Sequence, residues 1–268
     1  MSESRESSVD QARFPAPDFD VRDYARTAAG SHREVIDLAA FRSQPLSAET
    51  LRVLRYVQVV ERSTMTHLRS VLVTATHKDA RITAFLVTWA FEKFWVADAL
   101  AQILLAHEPE GTEPDRSALR TPTERTIRES VYANIVGVPM IAVHMTQGTV
   151  DEWLTQAAYR RLAELDPHPE LVAVVDRFLE IKARQLSFFE AQARFRLAES
   201  PRARKITRRR LATTPWPIGA RAEPRAETEF YYSYLFSGQP ERLLEIDSHV
   251  SSLPGQSGLD LLRKAARL

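Results

Sequence analysis

Four charged residues occupy positions where apolar side chains are expected. Four long segments carry apolar stripes with alternating spacings of three and four residues, and each stripe contains one charge near its middle. In chain order these charges are Glu61, Lys93, Glu152 and Lys182. An isolated buried charge is costly, whereas two carboxylates and two ammonium groups compensate one another. The pattern indicates that the four side chains meet in one core. The alternative is that each lysine lays its stem on apolar surface and keeps its head in water.

Such a cluster has a chemistry of its own. A desolvated lysine has a lowered pKa and can act as a base or as a Schiff-base nucleophile. Lys93 or Lys182 could serve in this way, with Tyr159 as the proton donor. A lysine paired to a glutamate stays protonated instead, which favours a purely structural role. Both interpretations remain open from the residues.

The elements that must position these residues are helical. Glycine is scarce and strand-like alternation is rare, so the sequence predicts an all-α fold. Ser47 is a plausible N-cap for the first long helix, and Pro139 is expected to kink or split a helical stretch that starts near residue 122. The four long helices are predicted at about 48–75, 80–107, 140–165 and 168–199. Helices of similar length joined by turns pack as a bundle with their stripes inward.

Three regions follow from this pattern. Residues 1–46 are rich in serine, proline and charge, which indicates a polar, mobile N-terminal arm with one short helix near 35–41. Residues 47–200 form the bundle. Residues 201–268 are interrupted by prolines and glycines, and they are predicted to form a helical extension packed on the bundle.

Three motifs carry a resemblance to a known family. Residues 89–100 (WAFEKFWVADAL) are similar to W-x-x-E-E-x-x-H-G-D-x-L, residues 152–155 (EWLT) to E-x-A-T, and residues 178–189 (FLEIKARQLSFF) to I-A-x-D-E-x-R-H-x-x-F-Y. On these motifs the sequence resembles the ferritin-like di-iron carboxylate proteins, most closely the soluble acyl-carrier-protein desaturases and their actinobacterial relatives. The resemblance covers roughly 48–200. It implies a ferritin-like four-helix bundle with extra short helices at the C-terminus.

The resemblance also implies where metal would bind, and most of that site is missing. Glu61 and Glu152 match metal-binding glutamates, and Thr155 matches the threonine beside the oxygen-binding side. The other four ligand positions hold Lys93, Val96, Lys182 and Gln185. A protonated lysine has no lone pair and repels a cation. We therefore expect no metal and no cofactor.

Three functions are compatible with this site. The first is a metal-free, non-catalytic descendant that binds an apolar or acyl small molecule, or a partner. The second is a metal-independent enzyme that uses Lys93 or Lys182. The third is a di-metal acyl desaturase or oxygenase in spite of the substitutions.

Composition limits which cellular compartment and which binding partners are expected. The sequence has no cysteine, which excludes disulfides and thiol nucleophiles, and its net charge of +1 gives no indication of nucleic acid binding. It lacks a secretory signal and any apolar run of about 20 residues, so a cytoplasmic protein without a membrane span is expected. Six basic residues within Arg202–Arg210 suggest a docking site for an acidic partner, and the resemblance would make that partner an acyl carrier protein. Analogy with the family also suggests a homodimer.

Overall fold

The protein is all-α in the part of the chain that the structure describes. The computed structural model describes residues 19–109 and 136–267, which contain ten α-helices and no strand. The helices are α1 (Val21–Arg26), α2 (Leu38–Ser43), α3 (Ala48–Leu72), α4 (Ala80–Ala106), α5 (Pro139–Leu165), α6 (Pro169–Glu199), α7 (Pro201–Leu211), α8 (Arg225–Phe236), α9 (Glu241–Ser252) and α10 (Leu261–Ala266). The prediction of an all-α fold is confirmed.

Two helical hairpins make up the bundle, because α3 packs along α4 and α5 packs along α6. The hydroxyl of Ser47 accepts the N–H of Thr50 and so caps α3, as predicted, while the carboxylate of Asp79 caps α4. Pro139 and Pro169 occupy the first turns of α5 and α6, where a missing N–H costs nothing. Pro139 therefore begins a helix. The predicted helical stretch from about residue 122 to Pro139 falls largely outside the described residues.

The core of the bundle consists of two apolar clusters. One contains Val53, Leu100 and Phe178, and it extends into the C-terminal helices. The other contains Phe85 and Phe189 and lies toward the opposite end of the four long helices. The four charged residues of the apolar stripes lie between these clusters, each near the middle of its helix. The midpoints of packed antiparallel helices lie at one level, so the charges form a layer across the bundle.

The chain before the bundle differs from the predicted mobile arm over residues 19–46. Its helices α1 and α2 both pack on α4 and bury Tyr24 and Phe41. The predicted short helix at 35–41 is observed as α2, three residues later. Composition alone concealed this packing, because the few apolar side chains of the segment are separated by polar ones. Residues 1–18 lie outside the described part of the chain.

The chain after the bundle packs on it as a set of short helices. Helix α7 contacts α5 and α6, α8 contacts α3 and α5, and α9 contacts α5. The buried carboxylate of Asp247 accepts three backbone N–H groups at the start of α10, from Leu261, Leu262 and Arg263. No helix within residues 19–109 and 136–267 has both the length and the apolarity that crossing a bilayer requires.

Candidate functional site

The four predicted charges meet in the bundle. Lys182 Nζ lies 2.8 Å from Glu61 Oε1 and 3.5 Å from Glu152 Oε2. Lys93 Nζ lies 3.1 Å from Glu61 Oε2 and 3.6 Å from Glu152 Oε1. All four residues are at most 2% exposed, so the alternative with lysine heads in water is wrong. Each ammonium group touches both carboxylates, and we call this group the Glu/Lys tetrad.

A fifth charged residue joins the tetrad, and sequence reasoning missed it. Asp151 is 3% exposed, and its Oδ2 lies 3.5 Å from Lys93 Nζ. Its other oxygen accepts the backbone N–H of Ile218 at 2.7 Å. Asp151 is about 100° around the helix from Glu152 and therefore off the inward stripe. The later segment around Ile218 covers that face, and no local signal in the sequence reveals this.

The charges of the layer perturb one another's pKa values. Burial alone would lower the pKa of Lys93, but the nearby Glu61, Glu152 and Asp151 carboxylates outweigh it and raise the pKa. Burial alone would raise the pKa of Glu61, yet the two ammonium groups hold it below its ordinary value. Asp151 behaves differently, because burial raises its pKa to about 6 and Lys93 offsets this only in part. The layer thus contains an acid that titrates close to neutrality.

Two aromatic residues complete the surroundings of the tetrad. The indole N–H of Trp89 donates to Glu152 Oε1 at 3.1 Å, and the hydroxyl of Tyr159 donates to Glu61 Oε1 at 3.2 Å. The ammonium nitrogen of Lys93 lies 5.1 Å from the centre of the Trp89 ring, and that of Lys182 lies 5.5 Å from the Tyr159 ring. These distances allow cation–π attraction. Burial, followed by the Glu61 charge, raises the pKa of Tyr159 well above its ordinary value.

Two of the predicted site residues do not join the tetrad. The Thr155 hydroxyl donates to the backbone oxygen of Asp151, one turn earlier in its own helix, at 2.6 Å. The side-chain amide of Gln185 donates to Glu92 Oε2 at 2.8 Å. Gln185 thus hydrogen-bonds to a carboxylate outside the tetrad.

Glu92 forms a second buried polar centre that sequence reasoning also missed. Its carboxylate accepts a short hydrogen bond from the Tyr24 hydroxyl and a bond from the Ala29 N–H at 3.0 Å. It also pairs with the Arg184 guanidinium at 2.8 Å. These contacts attach the segment before α3 to α4 and α6.

The residues of the layer do not fit a two-metal centre. Such a centre takes about four carboxylates and two imidazoles. Here three carboxylates from Glu61, Asp151 and Glu152 surround two ammonium groups, and no imidazole is among the residues of the layer described above. Among residues 19–109 and 136–267, no group of three or more histidine, aspartate or glutamate side chains is arranged to hold a metal ion.

The space beside the layer is very small. Thr155 and Tyr159 line an apolar pocket of about 10 Å³ beside Tyr231 and Leu235. That volume admits about one water molecule. This pocket is too small to admit a substrate.

Fold and site together define an all-α bundle protein with a buried network of ion pairs at its centre. Comparison with protein-family models, with curated proteins and with solved structures gives no match. The desaturase resemblance of the sequence motifs remains a prediction.

Proposed function

We propose that this chain is a metal-free, non-catalytic ferritin-like protein that works by binding an apolar or acyl ligand or a partner. In this proposal Lys93 and Lys182 replace the two metal ions of a desaturase-like ancestor. The observation that carries the proposal is the contact of each ammonium nitrogen with both Glu61 and Glu152, at 2.8 to 3.6 Å.

Charge balance supports the replacement. Four carboxylates and two divalent ions sum to zero, and so do two carboxylates and two ammonium groups. A protonated Asp151 carries no charge, so it leaves the net charge of the layer at zero. A cation that entered the layer would meet two buried ammonium groups, and even at an effective dielectric of about 20 a unit charge pair at 4 Å interacts by about 4 kcal/mol.

The alternative of a lysine-dependent enzyme has less support. A nucleophilic amine must be neutral and accessible, whereas Lys93 is 2% exposed and its pKa is raised. Incubation with a small aldehyde and borohydride, followed by peptide mapping, tests this alternative. We expect reductive labelling at exposed lysines such as Lys205 and none at Lys93 or Lys182. A stoichiometric adduct on either buried lysine would favour the enzyme.

Metal analysis tests the proposal directly. We expect the purified wild-type protein to contain no stoichiometric iron or manganese and to show no thermal stabilisation by Mn²⁺. The variant K93E/V96H/K182E/Q185H restores the ligand set that the motifs imply. We expect it to unfold at a lower temperature without metal and to regain stability while binding about two Mn²⁺ ions.

The same experiment has a matched control and a clear contrary result. In the restored variant, the additional change Glu61→Gln removes one ligand and should weaken Mn²⁺ binding. Two equivalents of tightly held metal in the wild-type protein would overturn the proposal. A restored variant that folds but ignores Mn²⁺ would remove the support for a ferritin-like ancestry.

A basic face of helix α7 supports the proposed acidic partner. Arg202, Lys205 and Arg209 are exposed on α7 at spacings of three and four residues, so they lie on one side of the helix. Arg208 instead donates to the backbone oxygen of Ser257 at 2.8 Å. We propose that the three exposed residues bind an acidic protein, and the motif resemblance makes an acyl carrier protein the candidate. Binding should weaken with salt and be lost in R202E/K205E.

The proposed homodimer also has a surface that supports it. Val87, Phe91 and Phe94 are 45 to 50% exposed on α4. The half-buried Trp95 ring packs edge-to-face against the Phe94 ring and extends this apolar surface. A contiguous exposed apolar face of this kind marks association sites in soluble proteins. Sedimentation should give a dimer for the wild-type chain and a monomer for F91E/F94E, and an unchanged dimer would exclude this face.

A further inference from the structure

An open cleft of about 650 Å³ lies in the C-terminal part of the protein, and the function proposed above leaves it without a role. It is bordered by the end of α7, the segment 212–223, the start of α8 and the last helix α10. Its volume is within the range of small-molecule sites, about 300 to 1,000 Å³. The pocket beside the tetrad is far smaller, so of these two cavities only the cleft has room for a ligand.

The floor of the cleft is apolar. Six of its lining residues are apolar and buried or half-buried, and they are Leu211, Trp216, Ala220, Leu259, Leu261 and Ala265. They come from two stretches of the chain, residues 211–220 and 259–265. Apolar surface of this kind is stabilised when a hydrocarbon chain removes it from water, by about 25 cal/mol per Å².

The rim of the cleft carries excess positive charge. Glu229 accepts from Arg225 at 2.9 Å and pairs with Arg267 at 3.0 Å, so its single charge is shared by two guanidinium groups. Arg221 and Lys264 are exposed, and in the described part of the chain neither side chain has an ion-pair or hydrogen-bond partner. The four basic rim residues exceed the two acidic ones, Glu223 and Glu229, by two charges.

One buried donor at the cleft lacks an acceptor among the described residues. Trp216 is 3% exposed and lines the cleft, and within residues 19–109 and 136–267 no atom accepts a hydrogen bond from its indole N–H. An unsatisfied buried donor costs about 1–3 kcal/mol. Such a group is unusual in a folded protein and calls for a partner that supplies an acceptor atom. The backbone oxygen of Trp216 is held by the Tyr232 hydroxyl at 3.0 Å, which fixes this segment in place.

We infer that this cleft binds one small amphipathic anion, with its apolar chain on the floor and its anionic head at Arg221 and Lys264, where a head-group oxygen also supplies the acceptor that the Trp216 N–H lacks. Charge-assisted hydrogen bonds from these two side chains would hold the head, and a neutral or cationic head would gain nothing from them. The inference rests on the proposed binding function and gives that function a site and a ligand class.

Titration calorimetry of the full chain with dodecanoate, below its micelle concentration, tests the inference. We expect one equivalent to bind, and dodecyltrimethylammonium, which has the same chain with a cationic head, to bind at least tenfold more weakly. R221E/K264E should weaken dodecanoate binding at least tenfold. R69E/K78E makes the same charge change at exposed positions far along the chain from the cleft and should leave binding unchanged.

Three further variants test the floor of the cleft. A265W fills the cleft without changing charge and should abolish dodecanoate binding, with circular dichroism used to verify folding. Dodecanoate should change the tryptophan emission of the wild-type chain and of W153F, but not that of W216F.

The outcomes separate this inference from the function proposed above. Equal binding of the anionic and cationic probes, or full binding by R221E/K264E or A265W, would overturn the cleft as the site. A wild-type chain that binds no dodecanoate would also overturn it. Metal content is measured independently of these titrations, so their outcome does not decide whether the protein is metal-free.

Discussion

The carboxylate of Asp151 lies 3.5 Å from the ammonium nitrogen of Lys93. Asp151 is the third carboxylate in a layer that contains two ammonium groups. Burial raises its pKa, and Lys93 offsets this only in part, while the neighbouring Glu152 carboxylate adds to it. The contribution of this layer and of the contacts around it to stability can be measured by substitution.

The first prediction concerns the pH dependence of stability. The pKa of Asp151 is about 6 in the folded protein against 3.8 for the ordinary side chain, a difference of about 2.2. The folded state therefore holds this proton more tightly than the unfolded state. Its contribution is complete below pH 3.8 and is lost as pH rises through 6, which amounts to about 3 kcal/mol at 1.36 kcal/mol per pKa unit. Asp151→Asn should not show this loss.

Urea denaturation between pH 4 and 7 measures the effect as the difference between wild type and D151N. That difference should shift by about 3 kcal/mol in favour of the variant as the pH rises. D151N retains a side-chain oxygen that can accept from Ile218. The change Asp176→Asn removes an exposed carboxylate and serves as the control. A difference that stays constant with pH would contradict the assignment.

The second prediction concerns the ion pairs of the tetrad. Lys182→Met leaves the buried Glu61 and Glu152 with only Lys93 between them, so we expect a loss of about 3–5 kcal/mol in the free energy of unfolding. The double variant E61Q/K182M removes one charge of each sign and should be less destabilised than K182M alone. Chemical denaturation of the single and double variants measures both quantities.

An exposed ion pair provides the comparison for that series. Arg225 and Glu229 lie one turn apart on the surface, and Arg225→Met should cost less than about 1 kcal/mol. If K182M were no more destabilising than R225M, the tetrad would contribute little to stability.

The third prediction concerns the attachment of the segment before α3. Tyr24 is buried, and its hydroxyl donates to Glu92. Tyr24→Phe removes a hydrogen bond to a charged acceptor, worth about 1.5–3 kcal/mol. Local detachment of α1 should therefore become more frequent, and cleavage by trypsin after Arg26 should accelerate by at least tenfold.

Tyr56 offers a matched control for this change. Its hydroxyl lies 3.1 Å from that of Thr228, in contact with α8 instead of α1. Tyr56→Phe should leave the cleavage rate at Arg26 unchanged. Equal rates for Y24F and wild type would show that the bond to Glu92 does not hold the segment.

The fourth prediction concerns the close approach of α5 and α6. A Cβ atom added at Gly148 would overlap the ring of Phe189, which is buried and cannot move into water. Gly148→Ala should therefore destabilise the protein by about 1–3 kcal/mol, as overpacking does. The double variant G148A/F189L should recover part of the loss, because leucine has no ring at that point.

Gly30 is the control glycine for this test. A Cβ atom built there meets no atom within 4 Å, so Gly30→Ala should change stability by less than about 0.5 kcal/mol. Thermal unfolding of G148A, G148A/F189L and G30A measures these differences. An unchanged stability of G148A would mean that α5 and α6 can separate without cost.

The sequence by itself determined the four long helices and the inward direction of the tetrad. Both depend on local patterns, since an apolar period of 3.6 and a capping residue act within a few turns of one helix. Glu61 and Lys182 were therefore identified from their own stripes, and bundle packing brought them to one level. Pro139 likewise marked a helix start from its own backbone chemistry.

Only the tertiary structure decided which residues off the stripes became buried. Asp151 is in the layer because the segment around Ile218, 67 residues later, covers its side of α5. Gln185 donates to Glu92 because the chain around Tyr24 closes over that carboxylate. The cleft similarly needs two separate stretches of the chain, residues 211–229 and 259–267, to meet. The apolar period of a helix predicts which of its faces is shielded from water. It does not predict which remote segment packs on the other faces.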